Sequence, residues 1–200
     1  MSEQGTSSYD HEQCLPNLVS AAVALAKAHN FEYSCLPGHG RLMQSIARGR
    51  KGAKIGETGT GCGVGTAWLV SGADSTSTIV SVEINEELAA AAGNLFRSQP
   101  NVKILCSSWE AIYDYGPFDI LFLEAGAKNP EKAPDLSRLL NRGGTLILDD
   151  FSINNTWPRM SHKDHEQVDT KRMFWLKHPE LLCTEIPTTE KMVAIVGIRI

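Results

Sequence analysis

Glu57-Thr58-Gly59-Thr60-Gly61-Cys62-Gly63-Val64-Gly65 places one carboxylate and four alternating glycines between an apolar run and an amphipathic one. Glycine takes positive φ without steric cost and lets a ligand approach the backbone more closely than any Cβ would permit. A helix that starts just after such a loop offers N–H groups with no partner inside the helix. The stretch therefore predicts strand, tight turn and helix, with a polar ligand lying against bare peptide. A dinucleotide fingerprint would need Gly-x-Gly-x-x-Gly/Ala. Every register fails at its last position, which falls on Val64 from Gly59, on Thr66 from Gly61 and on Trp68 from Gly63.

A second acid, Glu83, closes the apolar run Ile79-Val80-Ser81-Val82-Glu83. A carboxylate can accept two hydrogen bonds from a vicinal diol, and bonds to a charged acceptor are the stronger kind. The plainer readings are a tight β-to-α connection and an acid placed favourably at a helix N-terminus. The spacing of Glu57, the glycines and Glu83 resembles motif I and the following acidic position of class I S-adenosylmethionine-dependent methyltransferases. That resemblance implies that Glu57, Gly59, Gly61 and Gly63 surround the amino acid moiety of S-adenosylmethionine and that Glu83 binds its ribose hydroxyls.

Outward from the loop, strand-like and helical runs alternate. Strands are expected over 53–57, 79–83, 102–106, 118–124 and 145–149, and helices over 64–72, 86–96 and 134–140. Such a rhythm indicates a parallel sheet covered on both faces. Gly56 within the first strand marks a place where another backbone packs closely. Leu15, Leu18, Val19, Ala22, Val23 and Ala26 follow helical spacing, as do Leu42, Met43 and Ile46 after the turn Pro37-Gly38-His39-Gly40. Beyond Asp150 a polar stretch leads to a helix near 168–176 and two strands, 182–186 and 193–200. That pair resembles the terminal β-hairpin of the methyltransferase fold. The expected architecture is a Rossmann-like α/β fold with a seven-stranded, mostly parallel sheet, a C-terminal antiparallel hairpin and helices on both faces.

Acids stand at four of the five strand ends: Glu57, Glu83, Glu124, and Asp149 with Asp150. In open α/β sheets ligands sit beyond the carboxyl ends of the strands. The segments 118–125 and 143–150 resemble the catechol and caffeoyl-coenzyme A type O-methyltransferases, and the helix at 168–176 resembles the one that follows in that group. The resemblance implies Glu124, Asp149 and Asp150 as ligands of a divalent cation, with Lys128 assisting and Asp149 at the reaction. Mg²⁺ prefers oxygen ligands at about 2.1 Å and would lower the pKa of a bound hydroxyl. Two departures stand out: Glu124 occupies a position where relatives carry Asp, and Lys128 follows after three residues rather than two. The alternative is that these acids cap helices and turns. Three converging carboxylates repel one another, so a cation or a proton must be shared among them.

After the third strand, Ser108 replaces the acid that in relatives binds the adenine amino group, and Trp109 either flanks the ring or belongs to the core. His39 is read as lining the site or as a solvated turn histidine. His162 and His165 serve as a general base or lie on an exposed charged face, and Trp157 with Met160 offers an apolar wall for a planar acceptor.

Composition narrows the rest. A net charge of −4 without a basic stripe argues against a nucleic-acid groove and favours a small-molecule methyl acceptor. Five scattered cysteines without metal-ligand spacing read as reduced thiols. No run approaches a membrane span, so a cytoplasmic protein with no membrane contact is expected. Residues 1–13 are expected to fray and 14–200 to form one domain: N-terminal helices at 14–50, a cofactor-binding core at 51–150, and a substrate-side segment with the hairpin at 151–200. The resemblance also implies a homodimer. The reading is a methyltransferase acting on a small-molecule hydroxyl with divalent-cation help. The alternatives are a metal-independent methyltransferase on nitrogen or oxygen and a non-catalytic S-adenosylmethionine-binding module.

Overall fold

The computed structural model describes residues 5–161 and 166–200. Its strands are β1 (Lys54–Thr58), β2 (Thr78–Glu83), β3 (Val102–Cys106), β4 (Phe118–Leu123), β5 (Leu140–Ser152), β6 (Leu181–Pro187) and β7 (Met192–Arg199). They form one seven-stranded sheet in the order β3-β2-β1-β4-β5-β7-β6. The first five strands run parallel, and β7 is antiparallel to both β5 and β6. This is the α/β arrangement expected from the sequence, with its terminal hairpin inserted beside β5.

The helices are α1 (Asn17–Ala28), α2 (Pro37–Arg48), α3 (Val64–Gly72), α4 (Glu86–Phe96), α5 (Leu136–Leu139) and α6 (Thr170–Leu176). Side chains alternate across each strand, so every buried strand feeds two cores. Ile120, Phe122 and Ile147 pack with Val19, Met43, Trp68 and Ala92 on the side of α1 to α4. Leu121, Leu123, Leu146 and Leu148 pack with Leu139, Trp175 and Ile195 on the other side. Burial on both faces is why these strands read as continuous apolar runs.

Local chemistry sets the helix starts. The side chain of Asn85 accepts from the Leu88 N–H at 3.0 Å, and Glu86 with Glu87 occupies the first turn of α4, where acids complement the helix dipole. Asp169 caps α6 in the same way through the Arg172 N–H at 2.9 Å. Among the described residues, no helix is long and apolar enough to cross a membrane.

Four sequence expectations give way. The segment expected to fray is anchored from residue 5 onward: Thr6 and Tyr9 are buried, and Thr6 and Ser34 share a hydrogen bond at 2.7 Å. Pro37-Gly38-His39-Gly40 is not a turn but the first turn of α2, started by Pro37. Its glycines are required by contact, since a Cβ on Gly38 would collide with the Thr188 carbonyl and one on Gly40 with the Trp68 indole. Gly56 makes room for the side chains of Phe118 and Leu121, each about 3 Å from where its Cβ would lie, rather than for a backbone. The helix expected over 134–140 shrinks to α5 because Leu140 pairs with Phe118, which lengthens β5 at its start.

The anchoring of the N-terminus predicts a measurable stability. The Tyr9 hydroxyl donates to the Cys35 carbonyl at 2.8 Å and accepts from the Trp68 indole N–H at 2.9 Å. Tyr9→Phe leaves both buried groups unpaired and should cost about 2 kcal/mol in denaturant unfolding. An unchanged midpoint would show that the segment does not couple to the core.

Candidate active site

The strand order reverses between β1 and β4, which opens a crevice at the carboxyl ends of the strands. A cavity of about 460 Å³ lies there, with a wall that runs from Glu83 and Gly61 past Gly59 and Glu57 to Glu124 and Asp149. Ser108 and Trp109 also line it. Eight residues picked out from sequence thus share one concavity, of a size usual for small-molecule sites.

The loop between β1 and α3 is shaped by positive φ at Gly59 (+87°), Gly61 (+54°) and Gly63 (+85°). A Cβ on Gly61 would lie 2.8 Å from the Phe31 ring, so glycine there lets the ring pack against the loop. Gly63 departs from expectation. It is the N-cap of α3 and packs against Phe96, away from the cavity wall.

Glu83 sits at the end of β2 with one oxygen accepting from the Gly61 N–H at 2.8 Å and the other from the Asn85 N–H at 2.9 Å. Each carboxylate oxygen keeps a second lone pair for a diol. Glu57 is fully buried beneath the loop and accepts from the hydroxyls of Thr66 and Ser81, the latter at 2.6 Å. Burial pushes its carboxyl up to about 7 against the opposing pull of those two hydroxyls. A Cβ on Gly65 would strike the remaining Glu57 oxygen. Glu57 therefore ties the glycine loop to the sheet as well as facing the cavity. Trp109 is half-buried, packing on the second core cluster while lining the cavity, so both of its readings hold together.

At the far end of the crevice Glu124, Asp149 and Asp150 converge, with carboxylate oxygens that lie within 4.8 Å of one another. The donor set suits a hard cation in its chemistry. A cation is already there. Lys128, on the 3₁₀ turn Ala125–Lys128, is 2% exposed, with its Nζ 2.8 Å from Asp149 Oδ1, 3.2 Å from Glu124 Oε2 and 3.4 Å from Asp150 Oδ2. Burial opposes the charge on Lys128, but the three carboxylates outweigh it and hold the ammonium well above its usual pKa. Burial, and then the charge of Asp149, push Glu124 up to about 8. With Lys128 in place, the residues present do not fit a divalent ion. Lys128 and Asp150 do not line the cavity. Asp149 does line it, and its Oδ2 is buried without a hydrogen-bond partner among the described residues.

His39 is buried in α2 rather than solvated; its Nε2 meets the Thr188 hydroxyl at 3.1 Å, and burial lowers its pKa. Trp157 is 62% exposed and lies against Arg159 and Lys177, so it supplies no wall to this cavity, and neither does Met160. His162 and His165 lie outside the described residues. Phe31, Tyr33, Cys35, Ile84 and Lys132 line the cavity and were missed from sequence. Two signals pointed to Phe31, Tyr33 and Ile84: aromatics in a helix connection, Phe31-Glu32-Tyr33, and a large apolar residue directly after the acid at the end of β2. Ile84 is 74% exposed, as a residue at a cavity rim would be.

The same fold recurs in solved structures. An O-methyltransferase from Bacillus cereus in complex with SAH matches at 21% identity over 98% of this chain and 96% of that one, with a TM-score of 0.72. The O-methyltransferase TomG from Streptomyces achromogenes, in complex with SAM, matches at 20% identity over 100% and 99%, with a TM-score of 0.73. A catechol O-methyltransferase from Niastella koreensis is 27% identical over 147 residues, which span 69% of this chain and 66%, just under two thirds, of that relative. The fold of this chain is thus the one these solved O-methyltransferases share. Residues 21–174 match the family model described as protein-L-isoaspartate(D-aspartate) O-methyltransferase (PCMT), and the chain belongs to that family.

Proposed function

We propose that this protein transfers a methyl group from S-adenosylmethionine to a hydroxyl oxygen of a small molecule. One observation carries the reading: the cavity is continuous from the Glu83 and glycine-loop end to the carboxylates of Glu124 and Asp149. A cofactor seat and an acceptor seat thus share one wall.

On the cofactor side, Glu83 accepts the ribose hydroxyls, and the bare peptide at Gly59 and Gly61 lies under the amino acid moiety. Ser108 offers its hydroxyl to the adenine, with Ile84 and Trp109 as flanking apolar surfaces. When bound, S-adenosylmethionine supplies an electrophilic methyl carbon, so that a C–O bond forms as the C–S bond breaks and S-adenosylhomocysteine leaves. On the acceptor side, Asp149 Oδ2 takes the hydroxyl proton, with Glu124 beside it. Phe31 and Tyr33 wall off water at the mouth. Much of the rate then comes from holding the two reactants in line, which can contribute several kcal/mol.

The family's name describes a peptide carboxyl as acceptor, whereas the Niastella relative is named for a catechol. The enclosed aromatic lining and the missing basic groove support the small molecule. Leu182 and Ile198, exposed and paired across the β6–β7 hairpin, support a homodimer. Calorimetry should show stoichiometric binding of S-adenosylmethionine. Labelled methyl should pass to members of a panel of phenols and catechols, not to an isoaspartyl peptide. Transfer to the peptide alone would overturn the acceptor class, and absence of cofactor binding would overturn the whole reading.

A further inference from the structure

We propose that the ammonium of Lys128 is the resident cation of the Glu124–Asp149–Asp150 cluster, standing where a divalent metal would otherwise sit, and that removing it opens a divalent-cation site. The proposal concerns the acceptor side of the methyltransferase site and rests on that reading only for its consequence in activity. Its metal-binding consequence stands apart.

Geometry carries the argument. An ion bound by one oxygen from each carboxylate would lie about 2.1 Å from all three. Lys128 Nζ already lies within 3.4 Å of all three, so it fills the space between them that such an ion would need. A dication and an ammonium at that separation repel too strongly to share the pocket. The backbone that carries the side chain is held as well. The Lys128 carbonyl accepts from the buried Trp175 indole N–H at 2.9 Å, which fixes the turn from the side of α6. The start of the same turn is pinned to β1, because the Thr58 hydroxyl both donates to the Glu124 carbonyl and accepts from the Glu124 N–H, each at 3.0 Å.

The cluster is also shaped around the ammonium. Asp150 takes φ +64°, a left-handed conformation that few non-glycine residues adopt, and its Oδ2 meets Nζ. Asp149 turns one oxygen to Nζ and leaves the other buried without a partner among the described residues. That leftover oxygen is what a cation with more coordination sites than a lysine could use. Lys128 is therefore a positioning residue that neutralises and orients Asp149 and Glu124.

The test uses Mn²⁺ as probe on the full chain, read by electron paramagnetic resonance and calorimetry. Wild-type protein should bind no Mn²⁺ at the cluster below millimolar concentration and should keep its methyl transfer in a chelator. Lys128→Ala should bind one Mn²⁺ at least 100-fold more tightly than wild type, and its unfolding temperature, low in a chelator, should rise when Mn²⁺ is added. Should the alanine variant not fold, Lys128→Gln fills more of the space and carries the same expectation. Stoichiometric Mn²⁺ binding by the wild type, or loss of its activity in a chelator, would overturn the proposal. So would a variant that folds yet binds Mn²⁺ no better than wild type. Because metal binding is read directly, an inactive protein that fails every acceptor would sink the methyl-transfer reading without masking this result.

Discussion

Between pH 5 and pH 8 the cofactor-free protein should lose up to about 3 kcal/mol of stability that the Glu57→Gln variant does not lose. Burial pushes the Glu57 carboxyl up to about 7, from an ordinary value of 4.5. Between those two pH values the folded chain holds a proton that the unfolded chain has released, so stability falls as pH rises and levels off above pH 7. A displacement of that size corresponds to about 3 kcal/mol. Glutamine offers one oxygen to the Ser81 and Thr66 hydroxyls but has no proton to lose. At pH 8 the variant should therefore be the more stable by up to this amount, roughly 6–12 °C in melting temperature for a chain of this length. Glu124, also raised, adds a slope of the same sign to both proteins. Urea titrations of both proteins at pH 5 and pH 8 make the measurement. Parallel pH dependence would mean that Glu57 is already ionised in the fold.

Cofactor affinity should fall by about 1.5–3 kcal/mol, or roughly 10- to 150-fold, in Glu83→Ala. The loss has two sources that a second variant separates. Glu83 is proposed to hold the ribose, and it also fixes the Gly61 and Asn85 N–H groups. Glu83→Gln retains one acceptor oxygen for that scaffolding but removes the charge. An intermediate loss in Gln, and the full loss in Ala, is the expected pattern by calorimetry. Equal affinity in all three proteins would remove Glu83 from the cofactor site.

Legibility in the sequence followed the range of the forces involved. α3 and α4 begin and end at the residues expected, 64–72 and 86–96, because a glycine loop, an Asn cap and two first-turn acids are local devices. β3 was equally plain. β5 was not: its extension to Leu140–Ser152 comes from pairing with β4 at one end and β7 at the other, partners far away in the chain. Pro37-Gly38-His39-Gly40 read as a turn because two glycines rarely begin a helix. They do so here because Thr188 and Trp68 leave no room for a Cβ.

The candidate site divides along the same line. Glu57, Glu83, Glu124 and Asp149 were visible because each ends a strand, and parallel strands deliver their carboxyl ends to one edge of a sheet. Phe31 and Tyr33 were hidden because they lie in the connection between α1 and α2 and reach the cavity only by folding over Gly61.

By itself, then, the sequence determined the strand–turn–helix that carries the glycine loop and the convergence of acids at the sheet edge, since both follow from short-range geometry and strand direction. Only the tertiary structure decided what neutralises those acids. The position of the Lys128 ammonium depends on Trp175 and Thr58 holding its turn from opposite sides, and contacts between residues so distant in the chain have no signature in local sequence.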